Sequence, residues 1–311
     1  MDSLIIAQIV VAALQDLLFA LAAGALACSA LLLPRGQLQR VDTQSPDARV
    51  SLGRVRFGSL CILVLACCVY LQLEAAVMSG STFVAAGSAV GAVLTQTHFG
   101  VAWSIGCVGA VLACLGSRRD SRAAWWLAAA GMLAYVAGKA AASHAADAGD
   151  FTLREAVHVV HLSATALWAG SVIVAAPVLR RWNDAASRSA EESEAFCTRL
   201  SHLATMALAV VILTGIYNAM QDTAHLTAPL LSVLYGRVLA LKLVFVALAV
   251  LLGGYNRMVY LPRLHATAAE GGAAYRNAQR RFDRLLAVEA VAMVAVLAVA
   301  GVLGHTSPSG G

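Results

Sequence analysis

The chain has 311 residues, 60% of them apolar and 13% charged, with a net charge of +5, a pI near 8.9 and a mean hydropathy of +0.76. A soluble globular domain carries about 25% charged residues, so this composition excludes that class. The basic balance does not indicate nucleic acid as a partner, because the positive charges are gathered into alternate connections between apolar blocks.

A bilayer core requires roughly 20 consecutive, mostly apolar residues per helix. Eight such blocks are predicted: 4–33, 54–79, 97–116, 123–143, 155–180, 199–221, 235–260 and 282–304. They are too long and too rich in Ala, Leu and Val for membrane strands, which alternate over about 10 residues. The first block follows Met1-Asp2-Ser3. It has no basic leader and no small-residue cleavage site, so it is read as a retained helix. It carries Gln8, Gln15 and Asp16. The second carries Tyr70, Glu74 and Met78, each one turn from the next. His98 opens the third, and Lys139 and His144 stand at the far end of the fourth. The fifth begins with His158 and His161, and the sixth holds Thr214, Tyr217, Asn218 and Gln221 at spacings of three and four. Lys242 lies in the seventh and Glu289 in the eighth.

The segments 34–56, 117–122, 180–199 and 257–284 hold 18 of the 22 Lys and Arg residues. By the positive-inside rule these segments face the cytoplasm, which puts both termini on the outer, periplasmic side. No loop is long enough for a soluble domain; the longest, 261–281 and 34–53, are short and polar. The whole chain, 1–311, is therefore read as one all-α, polytopic transmembrane domain. A weak repeat divides it into four-helix halves, 1–150 and 151–311. Arg56-Phe57-Gly58-Ser59-Leu60 opens helix two as Arg199-Leu200-Ser201-His202-Leu203 opens helix six, and Phe99-Gly100 matches Tyr235-Gly236. An even number of helices per half makes the repeat parallel; chance similarity among low-diversity helices is the other reading.

Six of the eight histidines map to the outer side. Of these, His98, His144, His158 and His161 approach one membrane level from three consecutive helices, and the last two, spaced i,i+3, share a helix face. One such histidine is ordinarily an interfacial polar residue; four at one level point to a metal or haem site, since imidazole is the commonest metal-ligating side chain. Met78 and Met220 end their helices at the same level, and thioethers favour monovalent copper. The seven cysteines lie in the membrane or towards its cytoplasmic side. They are read as small apolar packing residues or as soft-metal contacts along a path.

Charged groups inside a bilayer usually pair or line a cavity. Glu74 and Lys242 lie at similar predicted depths, which makes an ion pair between them the expectation, with Asp16 a rival partner for Lys242. Alternatively Glu74, Asp16, Tyr217, Asn218 and Lys242 line a transport path.

The residues in this order resemble the copper resistance protein D family of bacterial membrane proteins. The resemblance rests on His161-Leu162-Ser163-Ala164-Thr165-Ala166-Leu167-Trp168-Ala169-Gly170, Leu213-Thr214-Gly215 with Tyr217-Asn218, and Tyr235-Gly236-Arg237 with Lys242. It continues through Asn256-Arg257, Leu261-Pro262-Arg263-Leu264, Arg284 and Glu289, and in the first half through Thr97-His98-Phe99-Gly100, Trp103 and Ser143-His144-Ala145-Ala146. The chain departs from the family at Ser143, where Gly is common, and at His98, where a bulky or basic residue is usual. The resemblance implies copper transport across the bacterial inner membrane, inward from the periplasm, with a copper ion as cargo and a small periplasmic copper-binding protein as its donor. On this reading copper binds His144, His158 and His161, assisted by His98 or Met78, and passes inward by Glu74 and the polar faces of helices one, six and seven. No ATP-binding motif such as G-x-x-x-x-G-K-S/T is present, so the chain is not expected to pump by hydrolysis; it is read as a transport protein and not as an enzyme. The alternative from a different class is a membrane haem protein moving electrons, with histidines on facing helices as axial ligands.

Overall fold

The computed structural model describes residues 3–32, 46–119, 121–143, 152–184, 190–223, 229–268 and 272–306. Among these residues every regular element is helical. The long helices are α1 (Ser3–Leu31), α2 (Pro46–Ser79), α4 (His98–Gly116), α5 (Arg122–Ala141), α6 (Leu153–Asp184), α7 (Ala190–Thr223), α8 (Leu234–Tyr255) and α10 (Gly272–Leu303). The short ones are α3 (Val90–Gln96), α9 (Leu261–Ala268), 3-10 turns at Ala85–Ser88 and Leu230–Ser232, and a π-helical turn at Asn256–Tyr260.

All eight apolar blocks are helical, and several helices run beyond them. Much of the expected polar loop 261–281 forms α9 and the first turns of α10. Tyr275, Arg276, Gln279, Arg280 and Arg281 tolerate helix well, so α10 continues past the apolar stretch. Pro262 directly follows the π-helical turn inside the continuous helical run Leu234–Ala268, so its missing N–H leaves a carbonyl of the preceding turn without its helical partner. At the other end of the molecule α2 stops at Gly80, whose φ of +64° permits the closing turn with Ser81 N–H donating to Ala76 O at 3.1 Å.

Seven of the helices are long and apolar enough to cross a membrane: Ser3–Leu31, Arg49–Ser79, His98–Gly116, Leu153–Arg181, Ala190–Thr223, Leu234–Ala268 and Gly272–Leu303. The expected eighth span, α5, is outside that set. It is nonetheless packed against α4 along its whole length. A Cβ on Gly116 would stand 2.5 Å from Ala128 N, and one on Gly109 2.5 Å from Tyr135 N; Gly131 and Gly138 press equally closely on Ala113 and Gly106. Small residues at each of these levels let two antiparallel backbones touch.

Consecutive long helices run antiparallel, as the cross-contacts show. Gln15 Nε2 donates to Ala66 O between α1 and α2, and Trp103 Nε1 to Cys67 O between α4 and α2. The helices α1 and α6 run in the same direction through the centre. They approach so closely at Gly24 and Gly170 that a side chain on either would overlap the other backbone. Helix α2 covers α1 on one side, and α7 and α10 cover α6 on the other. The bundle thus has an arginine-rich end and an opposite end. At the arginine-rich end Arg199 Nη1 caps α1 by donating to Leu31 O at 2.8 Å, and Arg56 Nη2 donates to Ser117 O. The start of α6 and the ends of α2, α5 and α7 lie at the opposite end.

Candidate metal centre

The helical period puts Arg154, His158 and His161 on one stripe of α6, and Thr214, Asn218 and Asp222 on one stripe of α7. Because the helices are antiparallel, the two stripes meet rung by rung. Arg154 Nη2 pairs with Asp222 Oδ1 at 2.7 Å, His158 Nδ1 lies 3.3 Å from Asn218 Nδ2, and His161 Nδ1 lies 2.9 Å from Thr214 Oγ1. The imidazole rings lie 6.4 Å apart and are nearly parallel, at 17°.

The contacts of Thr214 fix the chemistry of His161. The hydroxyl has one proton, and it is donated to Val210 O at 2.6 Å. With that proton on Val210 O the hydroxyl is free to accept from His161, and in the tautomer that carries the hydrogen on Nδ1 the Nε2 atom keeps its lone pair. A second-shell contact on one ring nitrogen is the usual way to present the other to a metal. Gly215 makes room for the ring: a Cβ there would stand 3.3 Å from His161 Cε1. Asn218 holds His158 as Thr214 holds His161, through a side-chain amide that has both a donor and an acceptor to offer.

Charges surround the pair. Asp222 is clamped, accepting from Arg154 and from Tyr235 Oη at 2.8 Å. Half-buried Lys242 of α8 faces both imidazoles electrostatically, and Asp16 and Asp222 act on it in turn. Tyr217 is half-buried one position before Asn218.

Two of the other expected ligands lie elsewhere. His98 is exposed at the start of α4, and Met78 is exposed at the end of α2. Both belong to the α2–α3–α4 corner, where Tyr70 and Phe99 rings pack 6.2 Å apart. His144 lies outside the described residues, as does His225. Among the described residues no three His, Cys, Asp or Glu side chains converge as a metal site. The convergence is that of one pair. This pair shares α6, so it does not supply the two facing helices that a haem plate requires.

Two path candidates also differ from expectation. Glu74 Oε2 accepts from Gln8 Nε2 at 2.8 Å, and it makes no ion pair with Lys242. Asp16 pairs with Lys139, the cation at the end of α5. The expected Glu74–Lys242 pair fails because similar depth does not set rotation about the helix axis: Glu74 turns to Gln8 of α1, and no ion pair joins it to Lys242. His305 joins the first seam, its Nε2 3.1 Å from Tyr70 Oη. Asp222 and Arg154 were not among the predicted site residues. Their spacing of four from Asn218 and His158 was the signal that could have found them.

Two family models match the chain. Residues 1–153 match the one described as Copper resistance protein D-like, N-terminal domain, and residues 194–303 match Copper resistance protein D. No curated protein and no solved structure matches.

Proposed function

The chain belongs to the copper resistance protein D family, and from that premise we propose that it carries copper inward across the bacterial inner membrane. Membership implies a role in copper resistance or transport; direction, site and driving machinery are our reading. The observation that carries it is the His158–His161 pair, with His161 Nδ1 held by Thr214 and Nε2 outside that contact. Copper is the cargo, received at the end of the bundle where α6 begins. The family's small periplasmic copper-binding protein is the donor we infer. His144 follows α5 closely in sequence and is our choice for a further ligand, with His98 and Met78 as capture residues near the mouth. The chain acts as a transporter and not as an enzyme.

We take the arginine-rich end as cytoplasmic, since basic loops are retained there. We also take α5 as the eighth span, which returns both termini to the periplasmic side. Its support is the close α4–α5 contact over the full length of both helices. The parallel approach of α1 and α6, the first helices of each half, is what a parallel four-plus-four repeat produces. Lys242 opposes a cation beside the imidazoles, which suits a site that passes its ion on. The path continues along α6 and α7, past Tyr217 and Asn218. Glu74 and Asp16 hold the neighbouring seam through Gln8 and Lys139.

The test is copper content by mass spectrometry, with radiocopper uptake into proteoliposomes. Wild type should hold copper and accumulate it; the His158→Ala, His161→Ala double variant should do neither. Equal copper content in the two proteins would end the reading.

A further inference from the structure

Helices α2 and α4 hold five of the seven cysteines: Cys61, Cys67 and Cys68 on α2, and Cys107 and Cys114 on α4. Cys61 and Cys68 are seven residues apart, and so are Cys107 and Cys114. Seven residues are close to two helical turns, so each pair keeps to one face of its helix. Because the helices are antiparallel, Cys61 stands opposite Cys114 and Cys68 opposite Cys107. The first rung is closed: its two Sγ atoms lie 3.4 Å apart, and both cysteines are free thiols. At the second rung Cys107 lies within electrostatic reach of Cys68 and Cys67. A cysteine used for packing needs no partner of its own kind, yet four of these five are matched across the seam.

The first rung sits about one turn inside the arginine-rich end, since α4 stops at Gly116. Both thiols are half-buried. Two hydrogen bonds between the helices bracket them: Arg56 Nη2 donates to Ser117 O at 3.4 Å on one side, and Trp103 Nε1 to Cys67 O at 3.0 Å on the other. Arg118 is the cation that acts on Cys114, its guanidinium 6.0 Å from the centre of the Phe57 ring.

Thiolates select soft cations, monovalent copper among them. Zinc, the other common thiolate ion, takes four ligands in structural sites. Among the described residues no three His, Cys, Asp or Glu side chains converge, so the rung does not suit zinc. Monovalent copper has a filled d shell and is stable between two sulfurs. A zinc–thiolate bond is about 2.3 Å long and a cuprous one is similar, so two sulfurs sharing an ion stand up to about 4.6 Å apart. Turning each side chain about its one torsion supplies the roughly 1 Å needed beyond the present 3.4 Å.

We propose that Cys61 and Cys114 form a binding site for a monovalent copper ion, separate from the imidazole pair and at the opposite, arginine-rich end of the bundle. On binding, each thiol gives its proton to water and its sulfur donates an electron pair to the ion, which stays monovalent. Two thiolates around one cuprous ion leave a single negative charge, which Arg118 offsets. The inference goes beyond the transport reading, because thiol chemistry names the ion whichever way copper crosses.

The test adds cuprous ion, as its acetonitrile complex under argon, to the full chain in detergent. Copper-edge X-ray absorption reads the neighbours of the ion, and competition with a cuprous chelator reads its affinity. In the His158→Ala, His161→Ala double variant the bound ion should have sulfur neighbours. Adding Cys61→Ser and Cys114→Ser should remove them and lower the affinity at least a hundredfold. Cys68→Ala, at the exposed second-rung cysteine, should leave both unchanged. In the wild type, which needs no variant to fold, cuprous ion should protect Cys61 and Cys114 from alkylation by a maleimide, as peptide mass spectrometry reads it. Sulfur neighbours that persist in the serine variant overturn the proposal. So does alkylation of the two thiols that copper does not slow, or a disulfide between them in protein prepared under argon. A wild type whose copper has sulfur neighbours alone keeps this site and removes the imidazole pair from the transport reading instead.

Discussion

His161 Nδ1 and Thr214 Oγ1 stand 2.9 Å apart, and the same hydroxyl donates to Val210 O. This relay favours the tautomer with the hydrogen on Nδ1. Thr214→Val keeps the shape of the side chain and removes the acceptor. Copper affinity should fall by about 10–100-fold, the usual effect of losing a second-shell partner. Thr214→Ser should keep most of it. Competition with a chromophoric chelator measures both, and an unchanged affinity in Thr214→Val would show that the contact does not orient the ligand.

On the proposed reading Lys242 opposes a cation at the same site. A unit charge several ångströms from a bound cation, at an effective dielectric near 20, is worth about 1–2 kcal/mol. Lys242→Met should therefore hold copper about tenfold more tightly and release it more slowly. Weaker binding in that variant would mean that Lys242 supports the site rather than opposing the ion.

Asp16 and Lys139 form an ion pair with side-chain exposures of 19% and 25%. Its loss should cost about 2 kcal/mol, between the values for exposed and buried pairs. Asp16→Asn should lower the melting temperature in detergent, and Asp16→Asn with Lys139→Met should recover part of it. Glu74→Gln should be milder, because Gln8 still has a carbonyl to bond. Equal losses for Asp16→Asn and Glu74→Gln would contradict the assignment of partners.

Gly170 lies against Ala20 O and Gly24 with no room for a methyl group. Gly170→Ala should force α1 and α6 apart at a cost of about 1–3 kcal/mol, typical of overpacking. Gly58→Ala, where a Cβ meets nothing within 4 Å, is the control. If both variants melt together, the close approach does not limit stability.

Reporter fusions decide the topology. Fusions after residues 45, 120, 190 and 270 should report cytoplasm, and those after 88, 148 and 225 the outer side. The pair at 120 and 148 bears on α5 alone. The same compartment at both points would leave seven spans and put the termini on opposite sides.

The presence and order of the eight apolar helices were legible in the residues because hydropathy is a local property of the chain; their lengths were not, since α7 and α10 run well beyond blocks 199–221 and 282–304. The blocks from 4–33 to 282–304 all proved helical, and His158, His161, Asn218 and Lys242 of the proposed site could be named from their types and depth. What hydropathy could not supply was rotation and adjacency. Glu74 and Lys242 were expected to pair at one depth, yet Glu74 turns to Gln8 and makes no ion pair with Lys242. His98 shares a level with His161 yet belongs to the α2–α3–α4 corner. The polar ends of helices also escaped: residues 261–281 read as loop because the bilayer signal stops there, although helix propensity does not. Only packing decides which stripes meet. The backbone contact at Gly24 and Gly170 sets how α1 meets α6, and the α6 stripe then faces Thr214 and Asn218.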